Sequence, residues 1–150
     1  MKVYKYKNKE VSFDVETDGE NIIRISLNPV YKAIHSNNRP EIINKLFFQL
    51  DQYLSGKRKT FDINFKLTGT EFQKKVWNEL RNIPYGEVIT YSELAKRINK
   101  PKSARAVGGA LNKNPLPIIL GCHRVIGKNG NLTGYAGGLK LKNLLLKIES

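Results

Sequence analysis

Apolar residues change their period once along this chain, and that change constrains the fold more than any other feature. Early on they alternate: Val11, Phe13 and Val15, an Asp18-Gly19 turn signal, then Ile23, Ile25 and Leu27, the pattern of a half-buried hairpin. From Pro40 they recur at helical spacing, with Ile43, Leu46, Phe47, Leu50, Tyr53 and Leu54 on one face and Gly56 as a stop signal. A basic stretch at 57–59 precedes a short extended run at Phe61, Ile63 and Phe65, and only helical patterns follow. The expectation is a mixed α/β (α+β) chain, with a small sheet-plus-helix domain over 1–66 and a second domain over 67–150.

The second part opens on Thr70-Glu71-Phe72-Gln73, a capping box that starts a helix carrying Phe72, Val76, Leu80 and Ile83 and closed by Pro84-Tyr85-Gly86. Thr90-Tyr91-Ser92-Glu93 reads as another capping box, starting a short helix with Leu94, Ala95 and Ile98 before Pro101. Ser103 is placed to cap a third, with Ala104, Val107, Ala110 and Leu111 inward and Arg105 and Lys113 outward, so the pair reads as helix-turn-helix. Gly108-Gly109 inside that helix costs roughly 1 kcal/mol each relative to Ala, which points to close approach of another backbone, either DNA or a neighbouring helix. The stretch Leu139–Ile148 predicts a last helix that packs Leu141, Leu144, Leu145 and Ile148 inward.

Charge narrows the function. The chain has 26 Lys and Arg against 13 Asp and Glu, a net +13, which suits a polyanionic partner. Residues 1–66 hold 12 basic and 8 acidic residues (+4) and residues 67–150 hold 14 and 5 (+9), so the second part is the better nucleic-acid candidate. A single Cys excludes an intramolecular disulfide, and two His provide no cluster at metal-ligand spacing. No apolar run approaches the roughly 18 residues of a membrane span, and the basic start lacks a signal-peptide core, so the expectation is a soluble, cytoplasmic protein.

The sole cysteine follows an apolar run, Ile118-Ile119-Leu120, within Gly121-Cys122-His123-Arg124-Val125. A lone thiol in such a place is ordinarily an inert core group. His123 offers a base and Arg124 a positive field, the two influences that favour a thiolate. Adjacency alone does not establish contact, because neighbouring side chains on a strand point to opposite faces.

This stretch resembles the Pro-Cys-His-Arg-Val signature of the O6-alkylguanine-DNA alkyltransferases. The resemblance spans roughly residues 70–150, through Gly86-Glu87-Val88-Ile89-Thr90-Tyr91, Ala104-Arg105-Ala106-Val107-Gly108-Gly109-Ala110, Asn114-Pro115, the Cys122 motif and Gly134-Tyr135-Ala136-Gly137-Gly138, all in the family's order. It implies a ribonuclease-H-like N-terminal domain followed by a helix-turn-helix, winged-helix-like alkyltransferase domain. It also implies a monomeric DNA-repair protein without cofactor or membrane partner, which takes an alkyl group from O6-alkylguanine, possibly also O4-alkylthymine, in double-stranded DNA in one irreversible turnover.

Cys122 would then be the nucleophile, His123 its base through a bridging water, and Glu149 the group that orients the imidazole. Arg105 would fill the gap left by the flipped base, and Tyr91 would assist its rotation. Thr90, Ser92, Ser103, Ala104, Gly108 and Gly109 would lie along DNA in the minor groove. Asn114 would brace the turn before the site. The carbonyls of Cys122 and Val125 would accept from the guanine amine, and Tyr135, Ala136 and Gly137 would line the pocket.

The chain departs from the pattern where Gly121 replaces Pro, removing a fixed φ before the nucleophile, and where Ala136 replaces a frequent Ser. Glu149 sits near a helix end open to fraying, and the zinc ligands of some relatives are missing. Among other readings, alkyltransferase-like binding modules replace the nucleophile that this chain keeps. A winged-helix regulator would not need the Cys122-His123-Arg124 run, and a cysteine hydrolase lacks an obvious oxyanion site.

Overall fold

A computed structural model describes residues 1–27, 38–130 and 135–150, and the chain divides into two compact units, Met1–Leu67 and Thr68–Ser150. The mixed α/β class expected from the change of period is the class observed.

In the first unit, β1 (Lys2–Lys7), β2 (Ser12–Thr17) and β3 (Ile22–Ser26) form an antiparallel sheet with β2 in the centre. The predicted hairpin is β2–β3. Its turn is shaped by Asp18, whose carboxylate accepts from the amides of Glu20 and Asn21 at 2.9 and 2.7 Å, and by Gly19 at φ 100°. Strand β1 was not legible as a strand, because lysines alternate with its apolar positions and those positions are tyrosines; Tyr4 and Tyr6 are each only 3% exposed. The run at Phe61, Ile63 and Phe65 forms no strand: it is extended and half-buried, but only Phe65 bridges, in parallel, to Ile22. Helix α1 (Glu41–Leu54) buries Ile43, Leu46, Phe47, Leu50 and Tyr53, the predicted face, and Tyr6 donates from β1 to its Asp51 at 2.6 Å.

In the second unit, α2 (Glu71–Glu79) starts with the predicted capping box at Thr70 and Gln73 and continues as a single 3₁₀ turn, Leu80–Asn82. Next come the two-residue strand β4 (Ile89–Thr90), α3 (Tyr91–Arg97) and α4 (Ala104–Asn112). Two caps differ from expectation. At α3 only half of the box forms: Thr90 accepts from the Glu93 amide at 3.1 Å, while the Glu93 carboxylate turns to Arg97 one helical turn on, at 3.6 Å. Ser103 makes no cap bond to α4, because its hydroxyl donates to the Lys100 carbonyl at 2.7 Å and so stays with the preceding turn. The indole of Trp77 donates to the Ala110 carbonyl at 2.8 Å, a buried bond that fixes α4 against α2. After α4, a 3₁₀ turn (Cys122–Arg124) leads into β5 (Val125–Ile126), which pairs in parallel with β4, and α5 (Leu139–Ile148) closes the unit.

Among the described residues no helix is long and apolar enough to cross a membrane, and no group of three or more His, Cys, Asp or Glu is placed to hold a metal ion.

Candidate active site

The segment between α4 and the 3₁₀ turn carries the thiol, and Asn114 holds both of its ends. Its side-chain oxygen accepts from the Leu116 amide at 2.9 Å and its nitrogen donates to the Leu120 carbonyl at 3.1 Å. Between these anchors Ile118 sits at φ 76°, a left-handed conformation that a β-branched residue avoids, and its side chain is only 2% exposed. The Cys122 amide then donates to the Leu120 carbonyl at 2.7 Å, closing an inverse γ-turn centred on Gly121 at φ −71° and ψ 58°. That φ is one a proline would share, so glycine here does not re-aim the backbone ahead of the nucleophile.

Cys122 is 7% exposed. Burial pushes its thiol above the usual range; the Asn114 side chain, the Lys142 charge, its own backbone N–H and the Tyr135 hydroxyl, in that order, pull it back. The positive field expected from Arg124 is therefore supplied by Lys142, a residue on α5 that the leucine pattern concealed. Lys142 is 1% exposed and donates from Nζ to the Val125 carbonyl at 2.7 Å, with the Tyr135 ring centre 5.9 Å away. Its burial lowers its pKa, which the nearby Cys122 opposes. Of the residues expected to face inward from α5, Leu145 is buried and Leu141, Leu144 and Ile148 are half-buried.

Arg124 instead grips Glu149. Its Nε donates to Oε1 at 2.8 Å and an Nη to Oε2 at 3.1 Å, and its other Nη donates to the Ile83 carbonyl at 2.8 Å. The Gly86 amide, in a turn with φ 83°, donates to Oε1 at 3.1 Å. Glu149 Oε2 lies 2.6 Å from His123 Nε2. Glu149 is 5% exposed, and Tyr85 ties the preceding carbonyl, Ile148, at 3.1 Å, so the chain end expected to fray is clamped. His123 is fully buried, and burial holds its pKa below the ordinary value against the opposing pull of Glu149. A neutral imidazole donating from Nε2 to the carboxylate presents Nδ1 as its acceptor.

The remaining residues divide by exposure. Arg105, Ser92 and Gly109 are exposed, Thr90, Tyr91, Ser103, Ala104 and Gly108 are half-buried, and the Tyr91 ring lies 3.8 Å from where a Cβ on Gly108 would stand. A Cβ on Gly109 would meet nothing within 4 Å, so the glycine pair is not explained by an approaching helix of this unit. Ala136 is exposed, Tyr135 and Gly137 are half-buried, and Gly134 lies outside the described residues. The Val125 and Cys122 carbonyls already accept one bond each, from Lys142 and from the Val125 amide, which leaves each a second lone pair.

Residues 71–150 match the model of the 6-O-methylguanine DNA methyltransferase, DNA binding domain family. The methylated-DNA–protein-cysteine methyltransferase of Methanosarcina mazei is 60% identical over 111 residues, covering 71% of this chain and 70% of that relative. Its counterpart from Methanosarcina acetivorans is 59% identical over 101 residues, covering 67% of this chain and 65%, just under two-thirds, of that relative. The crystal structure of Mycobacterium tuberculosis OGT in complex with DNA superposes with a TM-score of 0.89 at 36% identity, over 99% of this chain and 92% of that one.

Proposed function

We propose, from the premise that this chain belongs to the 6-O-methylguanine DNA methyltransferase family, that it repairs O6-alkylguanine in double-stranded DNA by moving the alkyl group onto Cys122. The observation that carries this reading is the buried thiol followed directly by an imidazole whose Nε2 is fixed 2.6 Å from Glu149.

The thiol proton passes to the Nδ1 side of His123, by way of a water, while Glu149 stabilises the imidazolium that forms. The sulfur attacks the alkyl carbon; the S–C bond forms, the C–O6 bond breaks, and its electron pair stays with the guanine, which takes up a proton and leaves as the normal base. The thioether has no route back, so one molecule repairs one base. Lys142, Asn114 and Tyr135 lower the cost of the thiolate within a site that burial otherwise disfavours.

The alkyl group is inaccessible inside a duplex, so the base is flipped at a cost of a few kcal/mol. Helix α4 lies in the minor groove with exposed Arg105 filling the vacated stack, Tyr91 beside Gly108 assisting the rotation, and Thr90, Ser92, Ser103, Ala104 and Gly109 along the backbone. Tyr135, Ala136, Gly137 and the second lone pairs of the Cys122 and Val125 carbonyls receive the base. The protein acts as a monomer in the cytoplasm.

Incubation with a duplex containing O6-methylguanine, followed by intact-mass analysis, is expected to add one methyl to the Cys122 peptide and none to Cys122→Ser. Tight binding without an adduct would refute the transfer. In Arg105→Ala, repair of the duplex is expected to fall while reaction with free O6-benzylguanine holds, because the free base needs no flipping. Equal loss on both would remove that role.

A further inference from the structure

Arg124 is the best-anchored side chain of the site, with all three guanidinium nitrogens engaged at 2.8 to 3.1 Å, two on the Glu149 carboxylate and one on the Ile83 carbonyl. The fork holds both oxygens of Glu149 in a fixed plane, as bidentate pairing does. One of those oxygens, Oε2, is the atom 2.6 Å from His123 Nε2, so the arginine sets where the imidazole points without touching the thiol's partners.

The stem of the same side chain crosses Gly121. A Cβ added there would stand 3.0 Å from Arg124 Cδ and 3.2 Å from both Nε and one Nη, inside the 3.5 to 4.0 Å at which non-bonded heavy atoms are comfortable. An ordinary arginine would swing aside by a few tenths of an ångström, but this one is tethered at three nitrogens and yields only by stretching or releasing one of them. The backbone supplies no competing reason for glycine, since φ −71° and ψ 58° are open to any L-residue, proline included.

We propose that Arg124 is a positioning residue for the His123 base and that Gly121 is the residue whose missing side chain lets Arg124 take that position. The proposal rests on the alkyl-transfer reading for its kinetic consequence, but not for its geometry. It turns the family comparison around: the proline that resembling proteins carry at this place suits the backbone of this chain and obstructs its arginine.

The test is a two-by-two set: wild type, Gly121→Ala, Arg124→Lys and the double variant. Each is followed by intact mass for benzyl transfer from O6-benzylguanine across pH, and by nitrogen-edited NMR of the His123 ring. Gly121→Ala is expected to slow transfer roughly 10- to 100-fold, as small misplacements of catalytic groups do, and to move the pH midpoint of the rate and the His123 nitrogen shifts. Arg124→Lys has a slimmer head and does not restore the rate, because a point charge cannot reproduce the fork. In the Arg124→Lys background the methyl added by Gly121→Ala is expected to cost less than about threefold, the clash partner being gone; strong coupling of this kind marks residues in contact.

A Gly121→Ala protein with wild-type rate, pH profile and His123 signals would overturn the proposal, as would an alanine penalty that persists undiminished in the Arg124→Lys background. Should Gly121→Ala fail to fold, Arg124→Lys alone decides through the His123 signals, and unchanged signals overturn it. Wild-type protein that transfers no benzyl group defeats the alkyl-transfer reading instead, while the NMR comparison still decides the positioning role.

Discussion

Replacing Glu149 by Gln keeps the shape of the side chain and removes its charge, at the atom group on which most of the site converges. In the native protein the carboxylate accepts from His123 Nε2, two nitrogens of Arg124 and the Gly86 amide, all donors, at 2.6 to 3.1 Å. An amide offers one oxygen and one NH₂. With the oxygen toward His123, the NH₂ faces Arg124 Nε and Gly86, donor against donor. With the oxygen toward Arg124 Nε and Gly86, the NH₂ faces His123 Nε2, which is compatible only if the imidazole moves its hydrogen to Nδ1 and so loses its acceptor on that side.

Two buried donors left unpaired cost about 1 to 3 kcal/mol each, and breaking a buried ion pair costs about 3 to 5 kcal/mol; both routes give several kcal/mol out of a total stability near 5 to 15. For a unit of 83 residues, Thr68–Ser150, each 1 kcal/mol lowers Tm by roughly 4 to 8 °C. The expected result by circular dichroism is a Tm at least about 10 °C lower. Well below that transition, transfer from free O6-benzylguanine is expected to slow by about 10²-fold or more, the scale of a general base. A Tm within about 2 °C of wild type together with a rate within twofold would refute the convergence argument.

Two further outcomes follow from the buried charges. In Lys142→Met the thiol loses the cation that favours its ionised form; transfer slows at neutral pH, by tenfold for each unit the thiol rises, and the deficit closes toward alkaline pH, whereas a pH-independent deficit would refute it. Stability changes little, because the lost donor to Val125 is offset by removal of a buried charge. His123 has a depressed pKa in the fold, so its contribution to stability is complete above its unfolded value of about 6.5 and is lost as pH falls below that toward the native value. The urea midpoint is expected to drop between pH 7 and pH 5 more steeply in wild type than in His123→Gln, and parallel slopes would contradict the sign.

Local signals were enough for most elements of the fold. Thr70 and Gln73 cap α2 as the box predicts, and the buried face of α1 is the one its spacing marks. What sequence conceals is the partner of each polar group. Ser103 and Glu93 occupy capping positions, yet nearer acceptors and donors, the Lys100 carbonyl and Arg97, take them first. Lys142 sits at a position where the leucine stripe marks only its neighbours, and burial of a lysine is legible only once the Val125 carbonyl and Cys122 are brought opposite it. Arg124, adjacent to the thiol pair in sequence, looks toward Glu149, 25 residues on, because alternate residues of the turn face opposite ways. The Cys122-His123 motif names the chemistry, but its supports come from Ile83, Gly86, Asn114 and α5, which are distant in sequence.

A protein consumed by its own reaction loses a molecule to every idle encounter with an oxidant or electrophile, so a permanently ionised, open thiol would be a defect here. The site has the opposite balance. Burial raises the Cys122 thiol and leaves it 7% exposed, while Asn114, Lys142 and Tyr135 stand ready to favour the thiolate. Small electrophiles that make no use of the base pocket meet the protonated, covered form. At pH 7 the native protein is accordingly expected to react with iodoacetamide at least about tenfold more slowly than a free cysteine of pKa near 8.5. The rate should rise with pH and on addition of urea, and it is read as carbamidomethylation of the Cys122 peptide by mass spectrometry. Labelling as fast as free cysteine at neutral pH would mean that the resting thiol is already ionised and open, and that burial does not protect it.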